Sequence, residues 1–170
     1  MSHSKPSFRE FAPRLRRGEH LAGTFVKTPT SHATEILGIL GFDFVVFDME
    51  HAPIDLGALD VMLLAARAAN VAGVVRVAEG TPAAILSVLD AGAAGILVPH
   101  VDSAEKAAAI VAASRYAGGR RGFANTTRAG GFGATGFRDH MAAQDESVAV
   151  VAMIEDLAAV ERIDAILAVE

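Results

Sequence analysis

The sequence has 170 residues, 52% hydrophobic and 21% charged, with a formal charge of -5 and no cysteine. That length buries a core without cross-links, and the composition excludes a disordered or fibrous chain. The acidic balance leaves no basic footprint for a nucleic-acid partner, and the lack of cysteine excludes a disulfide scaffold, a thiolate metal site and a cysteine nucleophile.

Segment 1–20 places Phe8, Phe11 and Leu15 on one helical face and carries Arg14, Arg16 and Arg17 without an apolar signal core. This predicts a short capping helix ahead of one domain over 21–170. From there, short β-branched runs alternate with Ala/Leu-rich stretches of helical period. Strands are expected at 23–26, 44–47, 74–77, 96–98 and 148–154, with a weak one at 121–124. Their continuous apolar character suits parallel strands buried on both faces. Gly41 and Asn70 fall just past helix ends, where a left-handed residue is wanted. Thr81 and Pro82 read as an N-cap and first helical residue, and Gly92 stops that helix. Ser103 opens an Ala-rich helix reaching Arg115, and 157–169 reads as the last helix. The glycine-rich stretch 118–136 breaks the rhythm and reads as a long functional loop.

The run 83–98 is the longest apolar stretch, but Asp90 interrupts it and it is too short to span a bilayer. A cytoplasmic protein without a membrane partner is therefore expected. Six βα units of under about thirty residues each pack like a TIM (β/α)8 barrel, an α/β fold of which two units would be missing. An open doubly wound sheet is the alternative. It is disfavoured by the absence of a glycine-rich fingerprint after the first strand, where Thr28, Pro29, Thr30 and Ser31 stand.

In either architecture the residues after each strand build the site. They are Asp48, Glu50 and His51 after the second, Arg76 after the third, His100 after the fourth, and Glu155 with Asp156 after the last. An acid, a histidine and a guanidinium converging there can hold a divalent cation through oxygen, clamp a carboxylate and move a proton, which suits keto acid chemistry. Each residue also has a plainer reading. His51 is then a loop histidine, and Arg76 an ion-pair partner of Glu50 or Glu79. Glu155 caps a helix, Asp48 orients His51, Glu50 braces the site and His100 is a polar strand-end residue. Asp156 is assigned to helix capping. Arg121 and Arg128 read as contacts for an anionic substrate or as solvated loop residues. His32, His140 and Tyr116 read as structural, and Phe123, Phe132 and Phe137 as packing for the loop.

The runs GFDFVVFDMEHAP (41–53), VVRV (74–77), GILVPHV (95–101), SRYAGGRRGF (114–123) and MIED (153–156) resemble the HpcH/HpaI family of metal-dependent 2-keto acid aldolases, in family order and spacing. The resemblance covers the chain from Leu21 onward. It implies a TIM-barrel class II lyase that cleaves a 4-hydroxy-2-keto acid into pyruvate, or a close relative, and an aldehyde. It assigns His51 as acid/base paired with Asp48, and Arg76 to the keto acid and its enolate. Glu155 becomes a ligand of Mg2+ or Mn2+, with Co2+ and Zn2+ as alternatives, and Glu50 a bracing residue behind it. Met153 stands where many members have a substrate-contacting Gln. The family's second acidic metal ligand would lie beyond Glu170, with the last two βα units and the helix through which family subunits form homo-oligomers. A catalytically incomplete barrel acting as a keto acid binding or assembly partner is therefore the alternative, and an acyl-CoA ester lyase of the citrate lyase type a weaker one. Lys27 and Lys106 are the only lysines past the N-terminal segment. Neither fits a buried Schiff-base amine, although Lys27 lies at a strand end.

Overall fold

A computed structural model describes residues 6–169. Strands β1 (Gly23–Val26), β2 (Phe44–Asp48), β3 (Ala72–Arg76), β4 (Gly95–Val98) and β5 (Ala149–Ala152) form one parallel sheet in the order β1-β2-β3-β4-β5. Each strand lies beside its predecessor, as in a (β/α)8 barrel, and the order never reverses as it does in a doubly wound sheet. The described residues thus make five βα units rather than six. The expected strand at 121–124 is not formed. Arg121 is drawn instead into a buried ion pair with Asp90 at 3.0 Å, and the segment carries only one large apolar side chain.

Helices α2 (Ser31–Ile39), α3 (Leu56–Ala68), α4 (Pro82–Asp90) and α5 (Ala104–Ser114) start where a side chain accepts an otherwise unpaired amide N–H. Those caps are Thr30, Asp55, Thr81 and Ser103, so the predicted starts at Thr81 and Ser103 are observed. Gly41 (φ 91°), Asn70 (φ 50°) and Gly92 (φ 98°) take the left-handed conformation past three helix ends. The expected last helix is two short ones, α7 (Leu157–Glu161) and α8 (Ile163–Leu167), broken at Arg162. The glycine-rich stretch leads into α6 (Phe137–Ser147), which the sequence pattern does not announce.

Alternation along the strands sorts the core into two layers. Val45, Phe47, Val75, Ile96 and Val98 pack against the helices. Phe44, Val46, Ala72, Val74 and Leu97 face the inner side, where Phe11 and Ala12 of the N-terminal helix α1 (Phe11–Arg16) join them. Phe11 stacks at 5.3 Å on Phe44, the first residue of β2, so α1 caps the N-terminal end of the strands. The same alternation leaves Asp48 and Arg76, the last residues of β2 and β3, on the inner face at the C-terminal rim.

Candidate active site

Asp48 and Arg76 are register partners. Both are buried, and Arg76 donates from Nε and Nη2 to the two Asp48 oxygens at 2.9 and 2.6 Å. Asp48 Oδ1 also accepts the main-chain N–H groups of Glu50 (3.1 Å) and His51 (3.0 Å), which folds 48–51 into a tight turn. Lys27, the residue after β1, places Nζ 3.2 Å from Asp48 Oδ2. Burial pushes the Asp48 carboxyl up, but Arg76, the His51 amide and Lys27 together more than reverse this and hold it well below the usual carboxylate range. The Arg76 guanidinium lies 5.0 Å over the Phe25 ring, and Nη1 is 3.3 Å from Glu50 Oε2.

The expected pairing of His51 with Asp48 runs through the main chain. The His51 ring, 60% exposed, faces Glu50 instead, with Nε2 3.6 Å from Oε2. Glu50 Oε2 is buried without a hydrogen bond. His100 has a left-handed backbone (φ 54°), which aims its N–H at Glu155 Oε1, 2.8 Å away. Its Nδ1 lies 3.1 Å from Asp156 Oδ2 and its Nε2 3.8 Å from Glu50 Oε1. Asp156 occupies the N-cap position of α7 but makes no side-chain cap bond, so the capping role assigned to its carboxylate is corrected: it turns to His100. Asp156 first, then Glu155, raises the His100 pKa. Met153 extends the pairing of β5, donating its N–H to the Val98 carbonyl at 2.9 Å, and its side chain is half-buried.

The loop arginines do not join this rim. Arg121 is buried between Asp90, Gln144 (3.2 Å) and the Tyr116 ring (4.6 Å), and Arg128 pairs with Asp60 at 2.6 Å. Buried His140 meets the Tyr116 hydroxyl at 3.3 Å, and Phe123 packs edge-on against Tyr116 and Phe137. A cavity of about 430 Å³ lies away from the rim, lined by Arg67, Gly73, Ala94 and His140 among others. Among the described residues no helix is long and apolar enough to cross a membrane, and no group of three or more His, Asp or Glu is gathered to hold a metal ion. What the rim offers a cation is oxygen from Glu155, whose Oε1 accepts the His100 N–H, and from Glu50, whose Oε2 is ion-paired with Arg76. Few carboxylates suit a hard cation that keeps water and substrate oxygens in its shell.

Asp48 and Arg76 meet at the C-terminal rim of a parallel sheet in barrel order, the end where α/β barrel enzymes build their sites. Residues 21–170 match the HpcH/HpaI aldolase/citrate lyase family, and the chain belongs to it. It is 38% identical over 162 residues to a 2-keto-3-deoxy-L-rhamnonate aldolase of Salmonella gallinarum, a match covering 94% of this chain and 60% of that protein. An HpcH/HpaI aldolase/citrate lyase family protein from Burkholderia cenocepacia J2315 superposes with a TM-score of 0.88 at 32% identity, covering 95% of this chain and 65% of that one. Citrate synthase SbnG superposes with a TM-score of 0.82 at 38% identity, covering 94% and 61%. The chain spans about 60% of the length of the curated relatives it matches.

Proposed function

We propose that this chain supplies the site of a divalent-metal-assisted carbon–carbon lyase, cleaving a 4-hydroxy-2-keto acid into pyruvate, or a close relative, and an aldehyde. The observation that carries this reading is Arg76, braced by Asp48 on one edge, Glu50 at Nη1 and the Phe25 ring beneath. Cleavage beside a ketone develops charge on the enolate oxygen, and a cation fixed in advance offsets that charge without reorganisation. Arg76 N–H groups not taken by Asp48 donate to that oxygen. The His51 ring takes the 4-hydroxyl proton as the C3–C4 bond breaks, with Asp48 fixing its main chain and Glu50 facing its ring. Met153 offers an apolar wall where a polar contact would otherwise stand.

Glu155, with Glu50 behind it, would hold Mg2+ or Mn2+, and the bound cation supplies Lewis-acid stabilisation of the enolate. A keto acid and an aldehyde are the partners this implies. Self-association is part of the same reading, supported by exposed Ile36 and Ile39 on α2 and Val61 and Leu64 on α3.

Pyruvate release from a 4-hydroxy-2-keto acid is expected to need added Mg2+ or Mn2+, and Glu155→Ala is expected to abolish the metal-dependent part. Release indifferent to both chelator and Glu155→Ala would overturn the metal assignment. A second reading is keto acid binding without turnover, since the Arg76 N–H groups not taken by Asp48 can hold a carboxylate without any bond being cleaved. Binding with no release under any of these conditions would support it.

A further inference from the structure

We propose that the cavity at the N-terminal end of the sheet, opposite the rim, binds an aliphatic α-amino acid as its zwitterion. The site is separate from the keto acid reading and does not depend on it. The cavity, of about 430 Å³, has the volume of a small-ligand pocket and lies beside Gly73 and Ala94, where β3 and β4 begin. Leu63, Val71 and Ala93 give it an apolar lining that suits an aliphatic side chain. Arg67 and Glu146 are exposed and both line it, yet neither has an ion-pair partner among the described residues. Opposite charges that line one cavity without meeting leave room for a ligand that carries both.

The two charges belong to different elements. Asp60 and Arg67 share a face of α3, and Arg128 pairs with Asp60 at 2.6 Å. That places a second guanidinium on the α3 side, where Arg67 and Arg128 can hold a carboxylate. Glu146 and Ser147 end α6, whose last turn carries no basic residue. The Glu146 carboxylate, the Ser147 hydroxyl and the negative end of the helix dipole together suit an ammonium. Arg16 donates to the Glu146 main-chain carbonyl and leaves the carboxylate unpaired. Arg9 and Glu10, adjacent ahead of α1, also line the cavity and offset each other. Burial lowers the pKa of His140, so at neutral pH that ring adds no charge.

The test is calorimetric titration of the protein with L-leucine and with two analogues that each lack one charge, 4-methylpentanoate and 3-methylbutylamine. L-leucine is expected to bind at least about tenfold tighter than either. Glu146→Gln should bring leucine and 4-methylpentanoate to equal affinity, and Arg67→Met should do the same for leucine and 3-methylbutylamine, with both variants melting as wild type does. Arg76→Ala, shown by its melt to be folded, should bind leucine as wild type does, because the rim lies at the other end of the strands. Absence of leucine binding by wild type, equal binding of the three ligands, a preference that survives the matching variant, or loss of leucine binding in Arg76→Ala each overturns the assignment and leaves the keto acid reading intact.

Discussion

The Asp48 carboxylate meets the Arg76 guanidinium through both of its oxygens, at 2.9 and 2.6 Å, because the two residues are register partners at the ends of adjacent parallel strands. Removing one member of such a buried pair leaves the other charge uncompensated. Asp48→Asn is therefore expected to cost about 3–5 kcal/mol in urea unfolding. A loss under about 1 kcal/mol would show that the pair is not what holds the rim. The Asp48 pKa is depressed, so its stabilisation is present above the ordinary carboxylate value and is lost only as pH falls through the lower folded-state value. The gap between wild type and Asp48→Asn should stay constant from pH 7 to about pH 4 and shrink only below that.

A second buried pair holds the glycine-rich stretch. Arg121 meets Asp90 at 3.0 Å and lies 4.6 Å over the Tyr116 ring, which ties the loop to α4 and, through Gln144, to α6. Arg121→Ala should destabilise the protein by about 3 kcal/mol and open 118–136 to proteolysis. Unchanged cleavage and unchanged melting would return Arg121 to the role of a solvated loop residue.

The pKa shift of His140 is opposite in sign to that of His100. Burial, then the neighbouring Arg121, lowers its pKa. The unfolded chain therefore binds the proton more readily, and stability is full above the ordinary histidine value and falls as pH drops through it. The melting temperature should decline between about pH 6.5 and pH 5, and His140→Gln should flatten that decline. An equally steep decline in the variant would place the titrating group elsewhere.

Much of the sheet was legible because parallel strands buried on both faces read as unbroken apolar runs, and β1 at Gly23–Val26 falls where that run lies. The strand-end rule likewise picked out Asp48, Arg76 and Glu155. What escaped depends on register and on contacts between distant segments. Lys27 meets Asp48 because β1 and β2 pair with Val26 opposite Phe47, and His100 meets Asp156 across 56 residues. No periodicity encodes either contact. Position alone predicts a cap at Asp156, and the residue does occupy the N-cap position while its carboxylate has another partner. The segment α6 buries only His140 and so shows no apolar stripe to mark it as a helix. Residues 121–124 had the opposite fault, an extended-looking run whose arginine is committed to Asp90.

In the proposed reaction Arg76 stabilises the enolate of a keto acid. Hydrogen–deuterium exchange of the pyruvate methyl group in D2O, followed by proton NMR with Mg2+ or Mn2+ present, reads enolate formation without needing the aldehyde to be known. Wild type is expected to exchange the methyl protons, chelator to abolish that exchange, and Arg76→Ala, shown by its melt to be folded, to slow it at least about a hundredfold. Exchange by Arg76→Ala at the wild-type rate would contradict that role for Arg76.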